Sequence, residues 1–383
     1  MVLTEDQKAL RESARRFARE RLLPDYQKRD RHGVLERELV AEMGRLGFLG
    51  MDLPEELGGM GADAVTTGLI AEALAHGDFN VSAMPVGISL NGAILMRYAS
   101  EPVRREWVPR MCRGDAVVAI CLTEPRGGSD ASNLQLRARK DGDHYVLHGE
   151  KTSITFADRA DAYLVFARTG APEEGARGVS AFFLPYAEGI GIARTKFDDV
   201  GSAVIGRGSV FFDDVRVPAS HRLGDEGKGF TQVMQGFDYS RALIGLQCVG
   251  AAQASLDEAW AYAKEREAFG RPIGQFQGVS FPLAEYESQI AAVRQLCYHA
   301  LALRDAGQPH TAEAAMCKWM GPKIAFDTIH QCLLTFGHYG WSKDLPHQQR
   351  LRDVMGLEIG DGTAQVMKLI IARERIGRVA VQY

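Results

Sequence analysis

Between about Val117 and Gly229 the chain changes character. Short β-rich runs recur there: Val117-Val118-Ala119-Ile120, Tyr145-Val146-Leu147, Tyr163-Leu164-Val165-Phe166, Ala181-Phe182-Phe183-Leu184 and Val210-Phe211-Phe212. Gly, Asp and Pro turns separate them. No long helical pattern alternates with these runs, so the spacing predicts an antiparallel, barrel-like sheet rather than a doubly wound parallel one. Both flanks read as helices. Before the sheet, Thr4 and Gln7 form a capping box, and Leu10, Ala14, Phe17 and Leu22 mark one apolar stripe that Pro24 ends. Further helices are expected at 36–46 and 66–75. After the sheet come long periodic stretches at 230–266, 280–304, 311–336 and 363–377. Short loops join them, as in an antiparallel four-helix bundle. The fold class is therefore α+β in three domains: 1–116 helical, 117–229 β and 230–383 a helical bundle. A chain of 383 residues has the length for this.

The charge balance narrows the function. A formal net charge of −4 argues against a nucleic-acid binder, which needs a basic surface. No run approaches the roughly 18 apolar residues of a membrane span. The start of the chain lacks the basic-then-apolar order of a signal peptide. None of the six cysteines forms a CxxC pair or a zinc spacing, and the ten histidines show no HExxH grouping. A cytoplasmic protein with reduced, buried thiols and no metal site is expected.

The densest chemical signal is Thr123-Glu124-Pro125-Arg126-Gly127-Gly128-Ser129-Asp130, directly after the first β run. In such a turn backbone N–H groups approach a phosphate or a flat cofactor edge, because no Cβ intervenes. Thr123 and Ser129 add hydroxyls. The plain alternative is a polar hairpin turn, and the segment matches neither a Walker loop nor GxGxxG.

This segment resembles the T-E-P-x-x-G-S-D signature of acyl-CoA dehydrogenases. The resemblance continues in order through His148-Gly149-Glu150-Lys151-Thr152-Ser153-Ile154-Thr155, Phe212–Pro218, Arg266-Glu267-Ala268-Phe269-Gly270, Leu351-Arg352-Asp353 and Gly362-Thr363 to Arg373-Glu374. It implies FAD held between the β domain and the bundle, across a subunit contact. Leu122 and Thr123 would meet the flavin ring, Ser129 the pyrophosphate and the CoA arm, and Thr155 the redox-active edge. Arg266, Phe269 and Gln277 would reach the FAD of a neighbouring subunit; Thr363 and Gln365 would hold the ADP half of FAD. Without the motif, Arg266 reads as a solvated charge and Phe269 as a core aromatic. The resemblance also implies an acyl-CoA substrate, a homotetramer and an electron-transfer flavoprotein as acceptor.

Departures from the family pattern are informative. Ser153 stands where relatives carry Trp, His338 where they carry Gly, and Leu334 where they carry Gln. The proton-abstracting Glu of the family's Tyr-Glu-Gly-Thr becomes Asp361 in Gly360-Asp361-Gly362-Thr363. Asp361 is thus the expected base, a carboxylate made more basic by lost solvation. Its alternative role is a cap for the helix near Thr363. The family's other base position is Ser240, which removes the competitor. Asp238 and Arg241, at i and i+3, share a helix face; the resemblance assigns them to CoA, and a plain ion pair is the alternative. Gly360, Asp361 and the neighbouring Gly362 leave room beside the reacting carbons, which suggests an α-branched or cyclic acyl group such as cyclohexanecarboxyl. Neutral drift refilled by neighbouring side chains is the alternative. Asn91 lies in a segment that lines such a pocket. Two rivals share the scaffold: a nitroalkane oxidase-like flavin oxidase, and a flavin-binding relative with a regulatory role.

Overall fold

A computed structural model describes residues 2–380. The Thr4 capping box forms: its side chain accepts from the Gln7 N–H, and the Gln7 side chain accepts from the Thr4 N–H. It starts α1 (Glu5–Phe17). Pro24 does not end the helical path. The chain passes through a π-helical turn at Ala18–Leu22 and a 3-10 turn at Leu23–Asp25, with Pro24 at its start, into α2 (Tyr26–His32). Proline lacks only a donor that a first turn does not need. Helices α3 (Arg37–Arg45) and α4 (Ala64–Gly77) follow, then α5 (Ala83–Tyr98) and α6 (Glu101–Arg113). The periodicity did not expose α5, because it is buried nearly all round and has no polar face.

The middle domain comprises β1 (Val118–Cys121), β2 (Arg137–Asp141), β3 (His144–Thr155), β4 (Ala162–Arg168), β5 (Val179–Pro185), β6 (Ile192–Arg194), β7 (Arg207–Pro218) and β8 (Arg222–Leu223). The order is β6-β7-β3-β2-β4-β5-β8, with β1 beside β4. Most neighbours are antiparallel, but β1 and β4 pair in parallel from Val118↔Ala162 to Cys121↔Val165, and β2 meets β4 in parallel at Arg137↔Arg168. The expectation of a wholly antiparallel sheet is corrected here. The β2–β3 hairpin provides the crossover that a helix would otherwise provide.

The last domain holds α7 (Gly229–Glu265), the short β9 (Glu267–Ala268) and β10 (Arg271–Pro272) hairpin, α8 (Gln277–Asp305), α9 (Thr311–Thr335), α10 (His347–Ile359) and α11 (Ala364–Ile376). Short connections make α7 and α8, then α8 and α9, antiparallel, so α7 and α9 run the same way. They touch through backbone. A Cβ on Gly321 would lie 2.8 Å from the Gly245 Cα, and one on Gly245 would lie 3.2 Å from the Cys317 carbonyl. Arg241 and Lys318, each one turn before that contact, are thereby brought to the same level.

The domains are tied by buried polar groups. The Asp353 carboxylate of α10 accepts from Tyr26 Oη at 2.7 Å, Asn80 Nδ2 at 2.9 Å and the Ser202 N–H at 2.7 Å, one donor from each of three separate segments. Burial raises its carboxyl to about 7, against the lowering pull of the Ser202 N–H and the Tyr26 hydroxyl. Core aromatics join the same parts: Trp107 of α6 packs edge-on against Phe183 of β5, centroids 5.0 Å apart. All six cysteines are free and buried. Among the described residues no helix is long and apolar enough to cross a membrane.

Candidate active site

The loop after β1 is fixed from beneath. Lys151 of β3, wholly buried, donates from Nζ to Glu124 Oε1 at 2.8 Å and to the Leu122 carbonyl at 2.9 Å. Glu124 also accepts from the N–H groups of Gln135 and Leu136. The Thr152 N–H donates to the Thr123 carbonyl at 2.9 Å. Burial lowers the Lys151 ammonium and Glu124 raises it back. Above this anchor Arg126 to Asp130 are exposed. Gly127 has φ 145°, a conformation other residues avoid, and nothing lies within 4 Å of a Cβ built there. Thr123 and Ser129 have no side-chain hydrogen bond among the described residues. A recess of about 130 Å³ opens beside Leu122, Glu124, Gly127 and Asp130.

Further along β3, the register slips between Lys151 and Ile154, and Ser153 takes φ 57°. This bulge turns Thr155, exposed at the strand end, alongside Arg207. Arg207 donates to Ser153 Oγ at 3.0 Å, pairs with Asp199 at 2.6 Å and lies over the Phe197 ring. Where relatives carry Trp, the small Ser153 therefore has a guanidinium beside it. The neighbouring Val200 carbonyl accepts from Arg352 of α10, the helix that leads to Asp361.

Asp361 lies in the turn between α10 and α11 at φ 56°, a left-handed conformation that Asp tolerates. It does not cap α11. Thr363 is the cap, and its hydroxyl accepts from the Val366 N–H at 3.3 Å. The residue is exposed on the free protomer; the protein packed behind its carboxyl raises its pKa, and Lys318 and Arg241 pull it down. Lys318 of α9, 1% exposed, donates to the carbonyls of Leu357 at 2.5 Å and Gly362 at 3.0 Å. Arg241, also buried, donates to Asp238 Oδ1 at 3.0 Å and keeps its Nε unpartnered. Asp238 Oδ2 accepts from Thr311 at 2.7 Å. The pair is thus largely shielded, unlike a plain surface ion pair. Ser240 is fully buried and its hydroxyl bonds back to its own helix at Phe237. A Cβ on Gly360 would meet only the Gly356 carbonyl, at 3.5 Å, and φ there is −62°. A Cβ on Gly362 would meet the flexible end of Met367. Gln365 is exposed on the first turn of α11.

Arg266, Phe269 and Gln277 stand elsewhere. Arg266 follows the last residue of α7, 25 positions beyond Arg241. At 1.5 Å per residue the two are roughly 37 Å apart. Phe269 is 94% exposed at the tip of the β9–β10 hairpin, and Gln277 opens α8. Leu334 and His338, also exposed, lie at the end of α9. Asn91 is buried and donates to the Val118 carbonyl, a tie from α5 to β1. A groove of about 160 Å³ between Arg11, Arg15, Glu72 and Arg294 contains none of these residues.

Sequence reasoning missed the Glu124–Lys151 pair, Thr311 and Lys318. Only Lys318 carried a signal: a lone cation in the apolar run Ala314-Ala315-Met316-Cys317-Lys318-Trp319-Met320.

Comparisons with known proteins agree along the whole chain. The acyl-CoA dehydrogenase N-terminal domain matches residues 4–115, the middle domain 119–215 and the C-terminal domain 227–376. The "Probable acyl-CoA dehydrogenase YngJ" of Bacillus subtilis (strain 168) is 36% identical, covering 97% of this chain and 98% of the relative. The mitochondrial isobutyryl-CoA dehydrogenase of Dictyostelium discoideum is 34% identical over 97% and 89%. The solved butyryl-CoA dehydrogenase of Megasphaera elsdenii superposes with a TM-score of 0.94 at 33% identity, covering 98% and 99%. The chain belongs to the acyl-CoA dehydrogenase family, FAD-dependent enzymes that dehydrogenate acyl-CoA thioesters.

Proposed function

We propose that Asp361 is the base of an α,β-dehydrogenation acting on an α-branched or cyclic acyl-CoA. The observation that carries this reading is the Asp361 turn itself. Its carboxylate is excused from capping α11 by Thr363 and is flanked by two buried cations. Desolvation raises its basicity while Arg241 and Lys318 favour the ionised form. The α-proton passes to Asp361, and the developing enolate oxygen accepts from the main-chain N–H at Asp361. FAD, when bound, supplies the acceptor for the β-hydride.

The residues present suit that cofactor. Gly127 leaves an open cradle, and the hydroxyls of Thr123, Ser129 and Thr155 are uncommitted to the protein among the described residues. Leu122 offers an apolar edge at the recess. Arg266, Phe269 and Gln277 lie too far from Arg241 to share one flavin within a single chain, so they serve the FAD of a neighbouring copy; Thr363 and Gln365 hold the ADP half of FAD. A Phe left 94% exposed at a hairpin tip fits such a contact, and a homotetramer is the assembly proposed. The Asp238–Arg241 pair and Ser129 would meet the CoA portion. Reduced flavin would deliver its electrons to an electron-transfer flavoprotein.

Substrate shape rests on volume. Gly360 is exposed, and nothing but the Gly356 carbonyl lies near a Cβ built there, so a larger residue is conformationally permitted on that side. The test is anaerobic mixing of the yellow, FAD-loaded protein with straight, branched and cyclic acyl-CoAs while flavin absorbance is followed. Cyclohexanecarboxyl-CoA or isobutyryl-CoA should bleach it faster than octanoyl-CoA. Bleaching fastest with a straight chain would overturn the substrate assignment, and none with any thioester would overturn the whole proposal.

A further inference from the structure

We propose that Lys318 is a positioning residue for the base: its ammonium clamps the turn that carries Asp361 and, with Arg241, keeps that carboxylate ionised in the free enzyme. This rests on Asp361 being the base.

The geometry is specific. Leu357 lies among the last four residues of α10, where carbonyls lack partners within the helix. Its oxygen accepts from Lys318 Nζ at 2.5 Å, and the Gly362 oxygen accepts from the same Nζ at 3.0 Å. One ammonium therefore bridges the end of α10 to the far side of Asp361, and it sits at the negative end of a helix dipole. Without this bridge, the only backbone tie from the turn back to α10 is the Gly360 N–H to the Gly356 carbonyl. Lys318 is held at this level because α7 and α9 meet through Gly245 and Gly321.

A buried ammonium is costly unless it is compensated. Burial lowers the Lys318 pKa, and Asp361 is the largest influence raising it. Cys248 of α7 and Glu358 of α10 act in the same direction, and Arg241 opposes them. Arg241 in turn faces Asp238, Asp361 and Arg373. Asp238 already holds Arg241, so Lys318 is the cation at Asp361 whose charge has no carboxylate bonded to it. A purely structural cap would explain the two carbonyl bonds but would leave the titration of Asp361 unmoved when the charge is removed.

The experiment uses FAD-loaded wild type, Lys318→Met and Lys318→Gln. Flavin reduction at low substrate is followed against pH, which reports groups of the free enzyme. An opposite charge within about 4–6 Å lowers a carboxylate by about 1–3 pH units. Both variants should therefore move the acid limb upward by about one unit or more, a roughly tenfold slower reduction below the limb. Hydrogen exchange of residues 358–363 should quicken in Lys318→Met and less in Lys318→Gln, which keeps a donor. A flavin-loaded variant with the wild-type limb overturns the proposal. Should neither variant retain FAD, hydrogen exchange of residues 358–363 in the apoproteins decides: quickened exchange in Lys318→Met supports the clamp, and unchanged exchange overturns the proposal. Failure of the dehydrogenase reading is separate, because wild-type flavin would then be reduced by no acyl-CoA.

Discussion

Lys151→Met removes the anchor beneath the Thr123–Asp130 loop while keeping the side chain's apolar stem. Lys151 is 0% exposed and Glu124 only 7%, so solvent cannot replace the lost partner. Breaking a buried pair by removing one member costs about 3–5 kcal/mol. The lost bond to the Leu122 carbonyl adds about 0.5–1.5 kcal/mol. Glu124 keeps the Gln135 and Leu136 N–H groups, which offsets part of the loss. The expected net destabilisation is about 3–5 kcal/mol, with the retained Gln135 and Leu136 N–H bonds offsetting the lost carbonyl bond. It should fall on the loop, because Thr123 is held only through its neighbours Leu122 and Glu124 and through Thr152. A loss of about 1.4 kcal/mol in loop order alone weakens FAD binding tenfold. The assay pairs urea unfolding with an FAD dissociation constant, on wild type, Lys151→Met, Glu124→Leu and the double variant. Removing both partners should cost less than the sum of the single losses, with a coupling above about 1 kcal/mol. Stability within about 1 kcal/mol of wild type, with unchanged FAD affinity, would refute the anchoring argument.

Asp361→Asn should keep FAD and ligand binding and lose flavin reduction by at least about a thousandfold, because the amide is nearly isosteric and accepts no proton; a near-normal reduction rate would identify a different base. Gly360→Tyr should depress kcat/KM for a cyclic or branched acyl-CoA more than for butyryl-CoA, since each CH₂ excluded from an apolar contact forfeits about 0.8 kcal/mol; equal losses on all substrates would argue against the open side of Gly360 as the place of the branch. His347, wholly buried against Glu258, Arg350 and Phe336, has its pKa lowered to about 4, chiefly by burial. The unfolded chain then binds the extra proton, so this contribution is full above about pH 6.5 and lost as the pH falls towards 4, on the order of 3 kcal/mol. The acid slope of stability over that window should flatten in His347→Phe, and an unchanged slope would count against it.

Local sequence determined what local forces control. Thr4 and Gln7 specified a helix start because the capping box involves only neighbouring groups, and it formed. The long bundle helices were legible from periodicity, with α7 found at Gly229–Glu265 and α9 at Thr311–Thr335. The glycine turn after β1 and the Asp361 turn were legible through their places in the ordered family motifs, since Gly, Asp, Ser and Thr are ordinary loop residues. Tertiary structure decided the rest. Helix α5 has no polar face to reveal it, and the parallel β1–β4 pairing depends on a hairpin folding between them. Ser153 was read as a departure from the family Trp, but its surroundings include Arg207, 54 residues away. Glu124 and Lys151 meet across 27 positions, and Lys318 reaches the Asp361 turn across more than 40. A charge becomes costly, and then useful, only after packing has removed its water. The sequence therefore determined which groups were available, and the fold determined which of them were desolvated together.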